Sequence, residues 1–104
     1  MHVLTKKPFA DAAKKYPNDA TALMDAYHVL KKGEFDTPHE LKQIFPSLNN
    51  FKYKDAMYVI DIGGNDLRLL AIIRFEYGKL FVRHILTRSD YDKLCDKYRR
   101  GELT

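Results

Sequence analysis

The sequence predicts an α+β fold in which two N-terminal helices and a short third helix pack on one face of an antiparallel meander, followed by a C-terminal helix. Three observations predict it. Apolar residues recur at helical spacing as far as Phe45, the pattern turns to strand-like alternation after Phe51, and helical spacing returns after Thr87. Helices and strands segregated along a chain favour helices layered on an antiparallel sheet over a parallel α/β fold.

The opening residues 2–5 suit a short strand. Pro8 fits the first turn of a helix, where its missing N–H costs nothing, and Phe9, Ala12, Ala13 and Tyr16 follow at helical spacing until Pro17. Asn18 or Asp19 is placed to cap a second helix with Ala20, Leu23, Met24, Tyr27 and Leu30 along one side and Gly33 at its end. Thr37-Pro38-His39-Glu40 reads as a capping box with proline at the first helical position. Leu41, Ile44 and Phe45 make its stripe, Pro46 stops it, and an irregular loop runs through Asn50.

Residues 57–62 alternate, and Gly63-Gly64-Asn65-Asp66 supplies residues that tolerate a positive φ. Residues 67–76 form a long strand, Tyr77-Gly78 a tight turn, and residues 79–86 the antiparallel partner. Thr87-Arg88-Ser89-Asp90 begins the last helix, with Tyr91, Leu94, Cys95 and Tyr98 at i, i+3, i+4 and i+7.

Alternation sorts the strands into faces. Leu67, Leu69, Ala71, Ile73 and Phe75 share one face with Leu80, Val82, His84 and Leu86. A two-residue turn pairs Glu76 with Lys79 and Ile72 with Arg83. The other face then carries Arg68, Arg74, Lys79 and Arg83 among apolar residues, with Asp61 opposite Arg68. Such a face is an ordinary solvated surface on one reading. On the other it binds phosphate, since arginine's planar fork suits bidentate contacts and apolar neighbours lower the local dielectric.

Composition narrows the classes. The 104 residues have room for one domain and one core, and 45% apolar content suits a globular chain. The longest aliphatic run, residues 69–73, is far short of a membrane span, and the N-terminus lacks the apolar region of a signal peptide. Cys95 stands alone, so the expected location is cytoplasmic. Eighteen Lys and Arg against 14 Asp and Glu leave +4, which favours acidic partners such as RNA, DNA or an acidic protein. Histidines at positions 2, 28, 39 and 84 lack metal-ligand spacing, so no metal or other cofactor is expected. Cys95 sits on the apolar stripe and reads as a packed thiol.

Several stretches together carry a resemblance. Phe45-Pro46-Ser47-Leu48-Asn49-Asn50-Phe51-Lys52-Tyr53, Gly63-Gly64-Asn65-Asp66-Leu67-Arg68, Val82-Arg83-His84-Ile85-Leu86-Thr87 and Asp90-Tyr91-Asp92 closely resemble the HigB toxins of the RelE-like superfamily of toxin–antitoxin ribonucleases. The similarity covers nearly the whole chain. It implies a RelE-like fold and a ribosome-dependent endoribonuclease that cuts messenger RNA without metal, the RNA's own 2′-hydroxyl attacking the adjacent phosphorus. It also implies a helix-turn-helix, HigA-like antitoxin encoded beside the gene, with operator DNA bound only through the antitoxin complex.

Carried onto these residues, the resemblance assigns Arg83 to neutralising the scissile phosphate and Arg68 to orienting it. Lys52 and Lys54, just before the sheet, suit the RNA backbone, although loop lysines need no function. Asn65 shapes the turn or contacts RNA, and Arg74, Lys79 and Lys93 extend the basic surface. Related toxins commonly have Thr-His where this chain has Thr87-Arg88. Arginine does not exchange protons near neutral pH, so Arg88 suits phosphate stabilisation and the general base falls to Tyr91, with Lys93 and His84 behind it. Tyr91 equally reads as core packing, and His84 as a core histidine. Two other functions use the same residues: a non-catalytic RNA- or ribosome-binding module, and a structural component of a toxin–antitoxin repressor complex.

Overall fold

The computed structural model describes residues 1–102. Strand β1 (His2–Val3) leads to α1 (Lys7–Lys15), a 3₁₀ turn over Pro17–Asp19, α2 (Ala20–Lys32) and α3 (Pro38–Ile44). Strands β2 (Asn49–Asn50), β3 (Met57–Ile62), β4 (Leu67–Arg74) and β5 (Lys79–Thr87) follow, and α4 (Arg88–Arg99) closes the described chain. Helix signals in the sequence are realised locally. Pro8 stands in the first turn of α1. Thr37 Oγ1 accepts from the Glu40 N–H at 3.2 Å to cap α3, and Thr87 Oγ1 accepts from the Asp90 N–H at 3.2 Å to cap α4. Gly33 ends α2 in an extended conformation, and the Phe35 ring occupies the space a Cβ would need. Asp19 makes no side-chain cap on α2. Its carboxylate instead lies against Gly63, where an added Cβ would meet Asp19 Oδ1 at 2.2 Å.

The sheet has five strands in the order β1-β5-β4-β3-β2. The meander β3-β4-β5 is antiparallel as expected, but β1 pairs with β5 in parallel, so the sheet is mixed. Asn49 and Asn50, expected in a loop, pair with Val59 and Tyr58 as an edge strand. Strand β4 stops at Arg74, where Phe75–Tyr77 coil into a 3₁₀ turn closed by Gly78 at φ 62°. That longer turn moves the register by two residues. Arg74, not Glu76, faces Lys79, and Ile72 faces Phe81 instead of Arg83. A two-residue shift preserves parity, so the faces survive near the turn. Further along, a bulge leaves Arg83 as the extra residue, and beyond it Leu70 faces His84 while Leu69 faces Ile85. His84 and Leu86 thereby exchange faces with Ile85 and Thr87, against the expectation of a core His84.

The core lies on both faces. Phe9, Leu23, Leu30 and Leu41 pack with Val3, Ile60, Leu69, Ile73 and Leu80 under α1, α2 and α3. Phe51, Met57, Val59 and Leu70 form a second cluster on the other face, against Tyr91, Leu94, Cys95 and Tyr98 of α4. The face expected to stand open is therefore covered through its middle by α4. Its apolar residues Leu70 and Ile72 are what α4 packs on. Among the described residues, no helix is long and apolar enough to cross a membrane.

Candidate functional site

The uncovered part of the α4 face begins where β3 and β4 meet their hairpin. The register sets Asp61 opposite Arg68, as the alternation predicts. Asp61 Oδ1 lies 3.1 Å from Arg68 Nε. Arg68 Nη1 donates to the Asn65 carbonyl at 3.0 Å and to the Leu67 carbonyl at 3.3 Å. The pair is largely sheltered, with side-chain exposures of 13% for Arg68 and 26% for Asp61. Ser47 Oγ accepts from the Asp61 N–H at 2.9 Å, fixing the backbone beneath the carboxylate. Three contacts thus hold one guanidinium in place.

This arginine faces a cleft lined by Ser47, Asn49, Asn50, Val59, Asp61 and Tyr91. Tyr91 reaches it from the first turns of α4, its ring set edge-on to Phe51 at 6.2 Å. Burial first, and then the Cys95 thiol one turn on, push the Tyr91 phenol up to about 12 against the opposing pull of the Arg68 charge. At neutral pH the hydroxyl is protonated and is a hydrogen-bond donor.

A second cleft shares Asn49, Asn50 and Tyr91 with the first and continues along Phe51, Lys52, Tyr53, Cys95 and Arg99. The two make one groove between edge strand β2 and α4. Its wall is aromatic. Phe51 meets Tyr53 at 5.6 Å and Tyr98 at 5.2 Å, and Tyr53 stacks on Tyr98 at 6.0 Å. Lys52 Nζ sits 5.2 Å from the centre of the Tyr53 ring, and Arg99 pairs with Asp96 at 3.0 Å. A groove with fixed cations, amide side chains and ring edges suits an unstacked, negatively charged strand.

The expected site residues divide among several places. Arg68, Tyr91 and Lys52 line the groove. Arg88 is exposed at the start of α4, one turn before Tyr91. Lys93 is exposed on α4, Lys54 is half-buried in the loop before β3, and Asn65 is exposed at the hairpin turn with its carbonyl on Arg68. Arg83 lines a different cleft, with Pro8, Asp11, Lys15 and Tyr16 at α1, and His84 lies there too. Burial, and after it the Arg83 charge, push the His84 imidazole below its ordinary value. Arg74 and Lys79 face each other at the far end of β4. Among the described residues, no group of three or more His, Cys, Asp or Glu side chains is placed to hold a metal ion.

Sequence reasoning missed Asn49, Asn50 and Arg99 as groove residues. For Arg99 a signal existed: Tyr91, Cys95 and Arg99 fall at i, i+4 and i+8 along one face of α4.

The family model of HigB_toxin, described as the RelE-like toxic component of a toxin–antitoxin system, matches residues 19–94. The chain is 48% identical over 102 residues to "mRNA interferase HigB" of Escherichia coli O6:H1, covering 98% of this chain and 99% of that protein. It is 46% identical over 92 residues to "mRNA interferase toxin HigB" of Escherichia coli K12 and, equally, to "mRNA interferase HigB" of Shigella flexneri, in each case covering 88% of both chains.

Proposed function

The chain belongs to the HigB family of RelE-like toxins, and from that premise we propose that it is an mRNA interferase whose RNA lies in the groove between β2 and α4. The observation that carries this reading is the Arg68 guanidinium, fixed by Asp61, Asn65 and Leu67 in the cleft that Tyr91 also lines. A cation held in this way pays little reorganisation when negative charge builds on a phosphate, the condition under which electrostatic stabilisation is strongest.

In the proposed reaction, the 2′-oxygen of one nucleotide attacks the adjacent phosphorus, the bond to the 5′-oxygen of the next nucleotide breaks, and a 2′,3′-cyclic phosphate and a 5′-hydroxyl result. The 2′-oxygen gives its proton to solvent water, and the 5′-oxygen receives one from Tyr91, whose phenolate then takes a proton back from solvent. Arg68 bears the charge of the pentacoordinate phosphate. Tyr91, protonated at neutral pH, donates toward the leaving oxygen, which replaces the role of base expected from the sequence. Tyr53 offers ring surface to a flanking base, and Lys52 and Arg99 offer charge to the backbone. Arg88, exposed one turn before Tyr91, is within the same end of α4 and extends the positive charge there. Arg83 stands in the α1 cleft, so this mechanism does not depend on it.

A toxin–antitoxin family implies a cognate antitoxin. We propose that it is a helix-turn-helix, HigA-like protein, that operator DNA is reached only through their complex, and that cleavage takes place in the cytoplasm on translated messages at the ribosome. Purified protein mixed with a message, with and without translating ribosomes and with chelator throughout, tests these points. New fragments ending in cyclic phosphate and 5′-hydroxyl, formed only with ribosomes, are expected. Fragments that require a divalent metal, or that carry 5′-phosphate, would overturn the mechanism.

A further inference from the structure

Far from the groove, the sheet carries a second basic feature. The register sets His2 of β1 beside Lys79 of β5, and Lys79 opposite Arg74 of β4. Partners in register point to the same face, so these side chains form a row straight across neighbouring strands. The row directly inward, Val3, Leu80 and Ile73, is buried in the core under α1 and α2, which turns the basic row to the other face. All of its members are exposed.

Like charges directly opposite one another destabilise a sheet. Here nothing offsets them: among the described residues, neither Arg74 nor Lys79 has an acidic partner within 4.0 Å, although Glu76 lies in the turn between them. Aromatic surface flanks the row on both sides. Tyr77, at the tip of the turn, is 73% exposed, and Phe81, the next residue on the same face of β5, is 41% exposed. Uncompensated cations beside open rings are what a single strand of nucleic acid requires, charge for its phosphates and faces for its bases. Arg74 is six residues from Arg68 along β4, about 20 Å at roughly 3.3 Å per residue, with α4 packed between the two sites.

We propose that His2, Arg74, Tyr77, Lys79 and Phe81 form a second RNA-binding site, separate from the cleavage groove, that anchors single-stranded RNA by its backbone and stacks at least one base on Tyr77. The choice of RNA over an acidic protein rests on the reading of this chain as an mRNA interferase.

The test is fluorescence anisotropy with a labelled 2′-O-methyl single-stranded RNA, which lacks the hydroxyl needed for cleavage, over a range of salt concentrations. For Arg74→Ala/Lys79→Ala, the slope of log affinity against log salt should become shallower by roughly 1.4, at about 0.7 per lost phosphate contact on a single strand. Tyr77→Ala should weaken binding roughly tenfold with the slope unchanged. Both variants alter exposed side chains only, and the double alanine relieves repulsion, so its melting temperature should not fall. Unchanged slope and affinity would overturn the proposal and leave the interferase reading standing, because this RNA cannot be cut and these residues lie outside the groove. Polyglutamate that competes with RNA charge for charge on wild type, but not on the double variant, would assign the row to an acidic protein and overturn it as well.

Discussion

Arg68 and Asp61 face each other across β3 and β4, with Nε 3.1 Å from Oδ1, and the arginine's Nη1 donates to the Asn65 and Leu67 carbonyls. The carboxylate sets where the cation stands. Arg68→Ala should lower cleavage by roughly a hundred- to a thousandfold, the usual cost of losing one preorganised group from such a site. Asp61→Ala leaves the charge but frees it to move, and a smaller loss is expected, about tenfold, partly restored in Asp61→Asn. Single-turnover cleavage rates on ribosomes separate the two effects. Equal losses in Asp61→Ala and Asp61→Asn would mean that the carboxylate's charge, not its hold on Arg68, is what matters.

Tyr91→Phe keeps the ring against Phe51 and removes only the hydroxyl. The rate should fall roughly a hundredfold or more with little change in neutral-pH stability. Its pH signature is separate. The phenol is raised in the folded state from 10.0 to about 12, so the fold binds this proton more tightly than the unfolded chain does. The associated stability is present below pH 10 and is lost as pH rises toward 12. Denaturant titrations across that window should show a shallower alkaline decline for Tyr91→Phe than for wild type. Parallel declines would show that burial does not hold this proton.

Glycines 63 and 64 both have positive φ, at 63° and 72°, but only the first is crowded. A Cβ on Gly63 would meet Asp19 Oδ1 at 2.2 Å, whereas one on Gly64 meets nothing within 4 Å. Gly64→Ala should cost about 1 kcal/mol for the left-handed backbone alone. Gly63→Ala should cost more, because Asp19 must also move. Asp19 itself is raised by burial and then by Asp66, so the fold favours its protonated form. That contribution is present below the ordinary aspartate value of 3.8 and fades as pH rises through the raised value, and Asp66→Asn should flatten this acid-side slope. Equal melting temperatures for the two alanine variants would contradict the crowding argument.

The start of α4 offers a trade between stability and activity. Thr87 caps the helix, and Thr87→Ala should cost about 1 kcal/mol. Arg88 follows it as an exposed cation at the positive end of the helix dipole. Arg88→Ala should therefore stabilise the protein by a few tenths of a kcal/mol while reducing cleavage. Loss of both stability and activity would mean that Arg88 is structural.

Much of this arrangement was legible in the sequence because its signals are local. Capping by Thr37 and Thr87 needs only the next three residues, and the Asp61–Arg68 pairing follows from a short hairpin. What failed depends on geometry that no short window encodes. The 3₁₀ turn at Phe75–Tyr77 and the bulge at Arg83 are both compatible with the same alternating pattern. The turn shifts the register without changing faces, whereas the bulge sets His84 opposite Leu70, and Arg83 lines a cleft apart from Arg68. Placing α4 on the second face required knowing that Phe51 and Leu70 would need a cover, a long-range fact. The same packing makes Asn49 and Asn50, expected only as part of a loop, into a groove wall.

A map of cellular messenger RNA 5′ ends after brief induction of this chain without its antitoxin, beside Arg68→Ala and Arg83→Ala, would show whether Arg68 builds the cleavage site. New ends confined to translated regions, lost in Arg68→Ala and retained at least in part in Arg83→Ala, are predicted. No new ends from soluble wild-type protein, or an unchanged pattern in Arg68→Ala, would contradict a cleavage site built on Arg68.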